Sequence, residues 1–203
     1  YEFYSWICYN LFESDYMKVK IGVSNRHVHL THDDYVLLFG NETIKKERDL
    51  IQKGQFASSS KVTIKTDKNY IENVRVLGPF RNYTQVEISK TDSYFLGINP
   101  PIRNSGDLTD ANEITIIGPM GSIVRKSCII ATRHIHINKS DRDNLGLTNV
   151  DYVKVEVGNI KKSILYDVYI KESEDGVFEL HLDLDDANAC FLKNGDEATI
   201  LDF

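Results

Sequence analysis

The sequence lacks the features that mark several classes of protein. Its 203 residues include only 4 prolines and 12 glycines, and 27% are charged, which excludes collagen-like, disordered and low-complexity chains. Acidic residues outnumber basic ones by 30 to 24, so the chain lacks the basic excess that nonspecific nucleic-acid binding requires. We therefore expect no nucleic-acid partner. An anionic ligand would need a local positive site, made by a few arginines or a metal ion.

Cysteines and long apolar runs are also scarce. The three cysteines are odd in number, far apart and form no CxxC pair, which argues against a disulfide framework and against a thiolate zinc site. Reduced thiols of this kind indicate a cytoplasmic setting. The longest uncharged apolar stretch covers residues 4–12, well short of the ~20 residues that span a bilayer, so no membrane partner is expected.

Residues 1–16 differ from the rest of the chain. They are rich in aromatic side chains and begin with Tyr1, whereas Met17 opens a strand-like run. Two explanations stay open. Met17 is the native start and the preceding residues are spurious, or residues 1–16 are an aromatic amphipathic segment that docks on a partner.

Alternation of polar and apolar residues predicts several short strands, each with one buried and one exposed face. The clearest runs are residues 61–66, 73–77, 84–89, 152–157 and 197–201. Many short strands separated by turn residues favour a small barrel or a sandwich. Capping residues followed by acids predict four brief helices, which begin near Thr31, Thr91, Asn138 and Asp185. The predicted fold class is mainly β with short helices.

Two sequence motifs occur twice, in the same order. Arg-His-Val-His-Leu at residues 26–30 returns as Arg-His-Ile-His-Ile at 133–137, an offset of 107. Downstream, Val-Glu-Ile at 86–88 matches Leu-His-Leu at 180–182, an offset of 94. The repeat indicates two duplicated halves, each a small β domain. We place them at residues 17–122 and 123–203, a division that leaves room for strands exchanged between the halves.

The repeat predicts two metal sites. Histidines at positions i and i+2 of a strand point to the same face, so both imidazoles can reach one ion. The plain alternative is a pair of polar residues on a solvated face, but five of the six histidines fall inside the repeat. The matched downstream position supplies a third ligand. The predicted sites are His27, His29 and Glu87 in one half, and His134, His136 and His181 in the other.

Three protein ligands with an open position are typical of catalytic zinc, although imidazole also suits iron, nickel and copper. The guanidinium group matches phosphate geometry, so arginines near the predicted sites are candidate anion ligands. These are Arg26, Arg81, Arg103 and Arg133. In contrast, capping patterns make His32 an exposed helix residue and Asp185 and Asp186 helix-start acids.

Five stretches together resemble the PduL-type phosphate acyltransferases. They are GVSNRHVHL (22–30), LGPFRNYTQVEIS (77–89), LGINPPIRNSGD (96–107), ATRHIHI (131–137) and LHLDLDDANA (180–189). The resemblance covers residues 18–203. It implies two β-barrel domains with a dinuclear metal centre between them, with the same six ligands that the repeat predicts. It also implies that Arg81 binds phosphate and that Ser24 lies near the sulfur of coenzyme A (CoA).

The activity implied is exchange of a short-chain acyl group, propanoyl or acetyl, between CoA and phosphate. We expect metal-assisted direct transfer, with the first of two zinc ions stabilising the thiolate leaving group and the second holding phosphate with Arg81. Because the chain has no glycine-rich phosphate loop, the loop around Arg103 is our candidate for the nucleotide end of CoA. The alternatives are a dinuclear-metal hydrolase that acts on a phosphate ester and a noncatalytic metal-binding module.

Location and assembly stay open at this stage. Family members that work inside bacterial microcompartments carry an N-terminal amphipathic targeting segment. Residues 1–16 occupy that place but lack a flexible linker to the first strand. We therefore expect an enzyme of the cytoplasm, free or as microcompartment cargo, and leave open whether it forms homo-oligomers.

Overall fold

The computed structural model describes residues 17–40 and 43–202, so residues 1–16 and both explanations for them lie outside the described part. The described residues form fourteen strands and four short helices, which confirms the predicted fold class. The strands are β1 (Lys18–Ser24), β2 (His27–His29), β3 (Lys46–Asp49), β4 (Phe56–Lys65), β5 (Tyr70–Gly78), β6 (Gln85–Glu87), β7 (Ile102–Arg103), β8 (Asn112–Ile117), β9 (Ser122–Ala131), β10 (His134–Ile137), β11 (Tyr152–Val157), β12 (Ser163–Glu172), β13 (Glu179–Asp183) and β14 (Glu197–Asp202). The helices are α1 (His32–Phe39), α2 (Lys90–Leu96), α3 (Lys139–Asn144) and α4 (Leu184–Ala189).

The strands close into two six-stranded barrels. In the first barrel the order is β4-β5-β2-β6-β9-β8, and β8 pairs back onto β4, while β3 and β7 extend its edges. In the second barrel the order is β1-β13-β10-β12-β11-β14. The two orders correspond strand for strand. In each barrel the His-x-His strand pairs in parallel with one long strand and antiparallel with the strand that carries the third predicted ligand.

Two strands, β1 and β9, each belong to a different barrel from the strand that follows them in the chain. β1 pairs with β13 and β14 of the second barrel, although it directly precedes β2 of the first. β9 pairs with β6 and β8 of the first barrel, although it directly precedes β10 of the second. The chain therefore crosses between the barrels at residues 25–26 and again at residues 132–133. Both His-x-His strands begin where the chain has just crossed.

The strand period places the histidines outside the barrel interiors. Val28 and Ile135, each between two histidines, are fully buried in the two hydrophobic cores. Because neighbouring side chains point to opposite faces of a strand, the histidines on either side face outward. Each buried aliphatic side chain stabilises its barrel by roughly 1.5–3 kcal/mol. Packing of the cores thus fixes the direction in which the histidines project.

Two helix starts agree with the capping pattern, and two lie earlier than predicted. Thr31 and Asn138 cap α1 and α3 as predicted, whereas Asp183 caps α4, so Asp185 and Asp186 lie in its first turn. α2 starts earlier than expected, because the Ser89 hydroxyl accepts from the Asp92 amide at 3.2 Å and the Asp92 carboxylate accepts from the Ser89 amide at 3.3 Å. This reciprocal pair forms a capping box. None of the four described helices is long and apolar enough to cross a membrane.

Candidate metal centre and active-site cleft

The first predicted triad is brought together by strand pairing. His27 and Glu87 are directly opposite each other on the antiparallel strands β2 and β6, and His27 Nε2 lies 3.4 Å from Glu87 Oε2. His29 follows two residues later on the same face, and the candidate ligand atoms of the three residues lie within 4.8 Å of one another. All three side chains are buried. The 3.4 Å between His27 Nε2 and Glu87 Oε2 is the separation that two bonds of about 2 Å to one tetrahedral zinc ion would produce.

Hydrogen bonds and burial in this triad fit a bound cation. His27 Nδ1 lies 2.8 Å from the carbonyl oxygen of Asn25, which can only accept, so Nδ1 carries the proton and Nε2 keeps its lone pair. Nδ1 of His29 is buried without a hydrogen-bond partner among the described residues. A buried polar atom in that state is costly unless a ligand satisfies it.

The charges of the first triad are strongly coupled. Burial holds the pKa of His29 well below its usual range, so this imidazole is neutral. Burial alone would raise the pKa of Glu87, but the surrounding histidines, foremost His27, together outweigh burial and hold that pKa well below the usual range. Burial opposes a charge on His27 as well, yet the Glu87 carboxylate raises the pKa of this imidazole. A proton and a metal ion therefore compete for His27 Nε2.

The second triad repeats this geometry. His134 and His181 are opposite each other on β10 and β13, and Nε2 of His134 lies 3.1 Å from Nε2 of His136. His134 Nδ1 donates to the carbonyl oxygen of Thr132 at 2.7 Å, as His27 does to Asn25. Burial lowers the pKa of His134 to about 3 and that of His136 to about 2. Neutral imidazoles with converging nitrogens suit a divalent cation.

Both triads line one cleft between the barrels, with a volume of about 590 Å³. Ser24 and Arg81 line the same cleft. Arg81 Nη1 donates to Tyr83 Oη at 2.6 Å and to Ser105 Oγ at 3.2 Å. Within the described part of the chain, its Nε and Nη2 groups make no hydrogen bond, so they remain available to a ligand.

Sequence reasoning missed Lys171, which lines the cleft beside the second triad. It is opposite His136 on β12 and has neither a hydrogen bond nor an ion pair with any described residue. Burial lowers its pKa; Glu87 acts against that shift, and Arg81 adds to it. In the sequence it is one lysine of an alternating strand. No local signal separates it from a surface lysine.

The guanidinium groups of Arg26 and Arg133 are each held by a carboxylate. Arg26 holds Asp92 through Nε and Nη2 at 2.9 and 2.7 Å, and Arg133 holds Asp186 in the same way at 2.8 and 2.7 Å. Each pair fixes the start of a helix, α2 or α4, against a His-x-His strand. A carboxylate already holds two nitrogens of each guanidinium, so anion binding at these two arginines stays a prediction that the structure does not favour.

Arg103 lies outside the set of residues that line the cleft. Its Nε donates to the carbonyl oxygen of Thr109 at 3.0 Å, and Nη2 lies 3.4 Å from Asp110, so its contacts stay within its own loop. Besides Lys171, three further basic residues that sequence reasoning missed line the cleft: Arg48, Lys61 and Arg75. They are widely separated in sequence and are brought together by the pairing of β3, β4 and β5. A role for Arg103 in CoA binding stays a prediction.

Two cysteines fall in the described part of the chain. Cys128 and Cys190 are free thiols and both are buried, while Cys8 lies outside it. Burial raises the pKa of Cys128 to about 12, so its thiolate is scarce at neutral pH. Neither thiol belongs to the residues that line the cleft.

Comparison with known proteins gives consistent matches along nearly the whole chain. A family model described as phosphate propanoyltransferase matches residues 20–193, a range that contains both triads. The phosphate propanoyltransferase of Thermotoga maritima is 47% identical over 186 residues, which cover 90% of this chain and 89% of that protein. Those of Rhodopseudomonas palustris and Rhodobacter capsulatus are 44% and 41% identical, covering 92% and 90% of this chain and 83% and 86% of those proteins.

Proposed function

This chain belongs to the phosphate propanoyltransferase family, and on that premise we propose that it interconverts a short-chain acyl-CoA and phosphate with an acyl phosphate and free CoA. In the forward direction a phosphate oxygen attacks the thioester carbonyl carbon. The carbon–sulfur bond then breaks, and CoA leaves as a thiolate that takes up a proton. The observation that carries the proposal is that two candidate metal-ligand triads line one cleft together with Arg81 and Lys171, neither of which is ion-paired with a described residue.

Two divalent cations, with zinc as our choice, fit the donor sets of the triads. Two imidazoles with a carboxylate, and three imidazoles, are both ligand sets known for zinc. When bound, these ions would supply Lewis-acid stabilisation of the thiolate leaving group and of the phosphate. The triads themselves contribute a preformed set of nitrogen donors and one ionised carboxylate.

Arg81 and Lys171 are the proposed phosphate ligands. The free Nε and Nη2 groups of Arg81 can bond two phosphate oxygens at once, whereas the Lys171 ammonium acts as a compact point charge. Both side chains are half-buried and line the cleft, and their positive charges lower the pKa of His29 and of His136, which supports a role beside the triads. Phosphate held in this way would be oriented toward a thioester near Ser24.

The part of the cleft that Arg48, Lys61 and Arg75 line is the proposed site for the nucleotide end of CoA. CoA carries several phosphate charges, and these three side chains supply positive charge along the cleft, although Arg75 is also ion-paired with Glu47. We favour this group over Arg103 because these three side chains line the cleft. The acyl group is proposed to be propanoyl or acetyl, which differ by one methylene, worth about 1–3 kcal/mol of discrimination in a pocket. We further propose a cytoplasmic location, free or within a microcompartment.

The reverse reaction tests this function. Purified protein is supplied with propanoyl phosphate and CoA, and formation of the thioester is followed by its absorbance. The proposal predicts one propanoyl-CoA and one phosphate for each propanoyl phosphate consumed. Release of phosphate without thioester formation would favour a phosphate-ester hydrolase and overturn the proposal. A His134→Ala variant that keeps its fold serves as the matched inactive control.

A further inference from the structure

The third residue of each triad is contacted by the residue two positions before it on the same strand. In the first barrel, Gln85 Nε2 lies 2.5 Å from Glu87 Oε1. In the second, Glu179 Oε2 lies 2.7 Å from His181 Nε2. Gln85 and Glu179 occupy matched positions of the repeat, as Glu87 and His181 do, at the same offset of 94 residues.

The neighbouring hydrogen bonds set the orientation of Gln85. Its Oε1 accepts from the backbone amide of Gly106 at 2.8 Å, so the donor end of the side chain, Nε2, must face the other way. Nε2 lies 2.9 Å from Ser105 Oγ as well as beside Glu87. Gln85 is fully buried, so it has no alternative partner in water. The amide therefore donates to one oxygen of Glu87 and leaves the other oxygen facing His27.

Glu179 is an acceptor at the position where Gln85 is a donor. It is buried, and its Oε2 accepts from Gln52 Nε2 at 3.1 Å as well as contacting His181. Gln52 is itself fixed, because its Oε1 accepts from the backbone amide of Val177 at 3.0 Å. A carboxylate accepts protons and offers none. In a neutral His181, Nε2 therefore carries the proton, and Nδ1 keeps the lone pair.

We propose that Gln85 and Glu179 are matched positioning residues for the two metal ions, with inverted hydrogen-bonding polarity. An amide donor holds a carboxylate ligand, and a carboxylate acceptor holds an imidazole ligand. Each set of four residues therefore contains one carboxylate. In the first set this carboxylate is the proposed ligand Glu87. In the second set it is Glu179, which contacts the proposed ligand His181. The proposal rests on the metal sites of the proposed function, and it extends to residues outside both triads.

Metal affinity is the readout. Each ion is titrated against a chromophoric chelator in the wild-type protein and in single variants. Glu179→Gln should weaken binding of the second ion by about 10–100-fold and leave the first within twofold, as is typical when the partner behind a ligand is lost. Gln85→Leu should weaken the first ion by a similar factor and leave the second unchanged. Unchanged affinities, or equal loss of both ions, would overturn the proposal.

Two controls separate positioning from a general structural role. Gln52→Met removes the amide next to Glu179 but keeps the contact with His181, so the second ion should stay within a few-fold of wild type. Glu197→Gln removes an exposed carboxylate of the same barrel and should change neither affinity. If Gln52→Met loosened the second ion as much as Glu179→Gln, Glu179 would act by holding its strand.

A rescue experiment tests the pairing of ligand and positioning residue even where a single variant folds poorly. Glu87→His alone leaves the Gln85 amide donor facing an imidazole, so binding of the first ion should fall at least tenfold. Adding Gln85→Glu recreates the arrangement of the second barrel and should recover most of that loss. No recovery in the folded double variant would refute the pairing rule. Because the readout is metal affinity, a protein that binds both ions but fails to transfer acyl groups would refute the proposed function alone.

Discussion

The carboxylate of Asp185 accepts a hydrogen bond from the backbone amide of Thr91 at 2.7 Å. Asp185 lies in the first turn of α4, and Thr91 lies in the first turn of α2. Asp185 follows β13 of the second barrel, and it thus caps α2, the helix that follows β6 of the first barrel. Negative charge is favourable at a helix N-terminus, where amides lack partners. This contact couples the starts of the two helices that Arg26 and Arg133 fix against the His-x-His strands.

Removal of this cap should cost stability. We expect Asp185→Ala to lower the free energy of unfolding by about 1 kcal/mol, the usual effect of losing a capping side chain. Asp33→Ala, which removes an almost fully exposed acid from the first turn of α1, is the control and should change it by less than about 0.5 kcal/mol. Urea titration of both variants measures the difference. Equal effects would show that the Thr91 contact contributes nothing specific.

The two triads should behave as separate metal sites. Elemental analysis of the purified protein should find two divalent ions per chain. His27→Ala should lose one ion and His134→Ala the other, because each replacement leaves only two ligands in its triad. His32→Ala, which changes an exposed helix residue, should keep both ions. A wild-type protein that holds no metal at full activity would contradict the two-site interpretation.

Loss of a phosphate ligand should appear in phosphate kinetics. Arg81→Ala and Lys171→Met should each raise the KM for phosphate or lower kcat by tenfold or more, with both metal ions retained. Arg103→Ala should stay within twofold of wild type, because this arginine is bound within its own loop. Steady-state rates over a range of phosphate concentrations give the values. A phosphate defect in Arg103→Ala, with Arg81→Ala normal, would reverse the assignment.

The basic part of the cleft should recognise the nucleotide end of CoA. Lys61 lines it without an ion pair to any described residue, so Lys61→Ala should raise the KM for propanoyl-CoA several-fold, with an effect that shrinks as salt is added. The same variant should be nearly normal with propanoyl-pantetheine, which lacks the nucleotide phosphates. If Lys61→Ala were equally defective with both substrates, the residue would act on the reacting end of the cleft.

Much of the candidate site could be predicted from the sequence, because each predicted ligand of one half has a counterpart at the matched position of the other half. The His-x-His pairs and their third partners needed no knowledge of which strands pair. Lys171 and Glu179 could not be found in this way, since their roles depend on strand register and on side chains more than 100 residues away, such as Gln52 beside Glu179. Alternation predicted β11 to the residue, yet it carries no information about which barrel β1 or β9 joins.

Phosphate-dependent release of CoA from propanoyl-CoA, followed by a thiol reagent, tests the central claim most directly. The account predicts rapid release with phosphate present, matched mole for mole by propanoyl phosphate, and release at least a hundredfold slower without phosphate. Release at the same rate in the absence of phosphate, with free propanoate as the product, would contradict it.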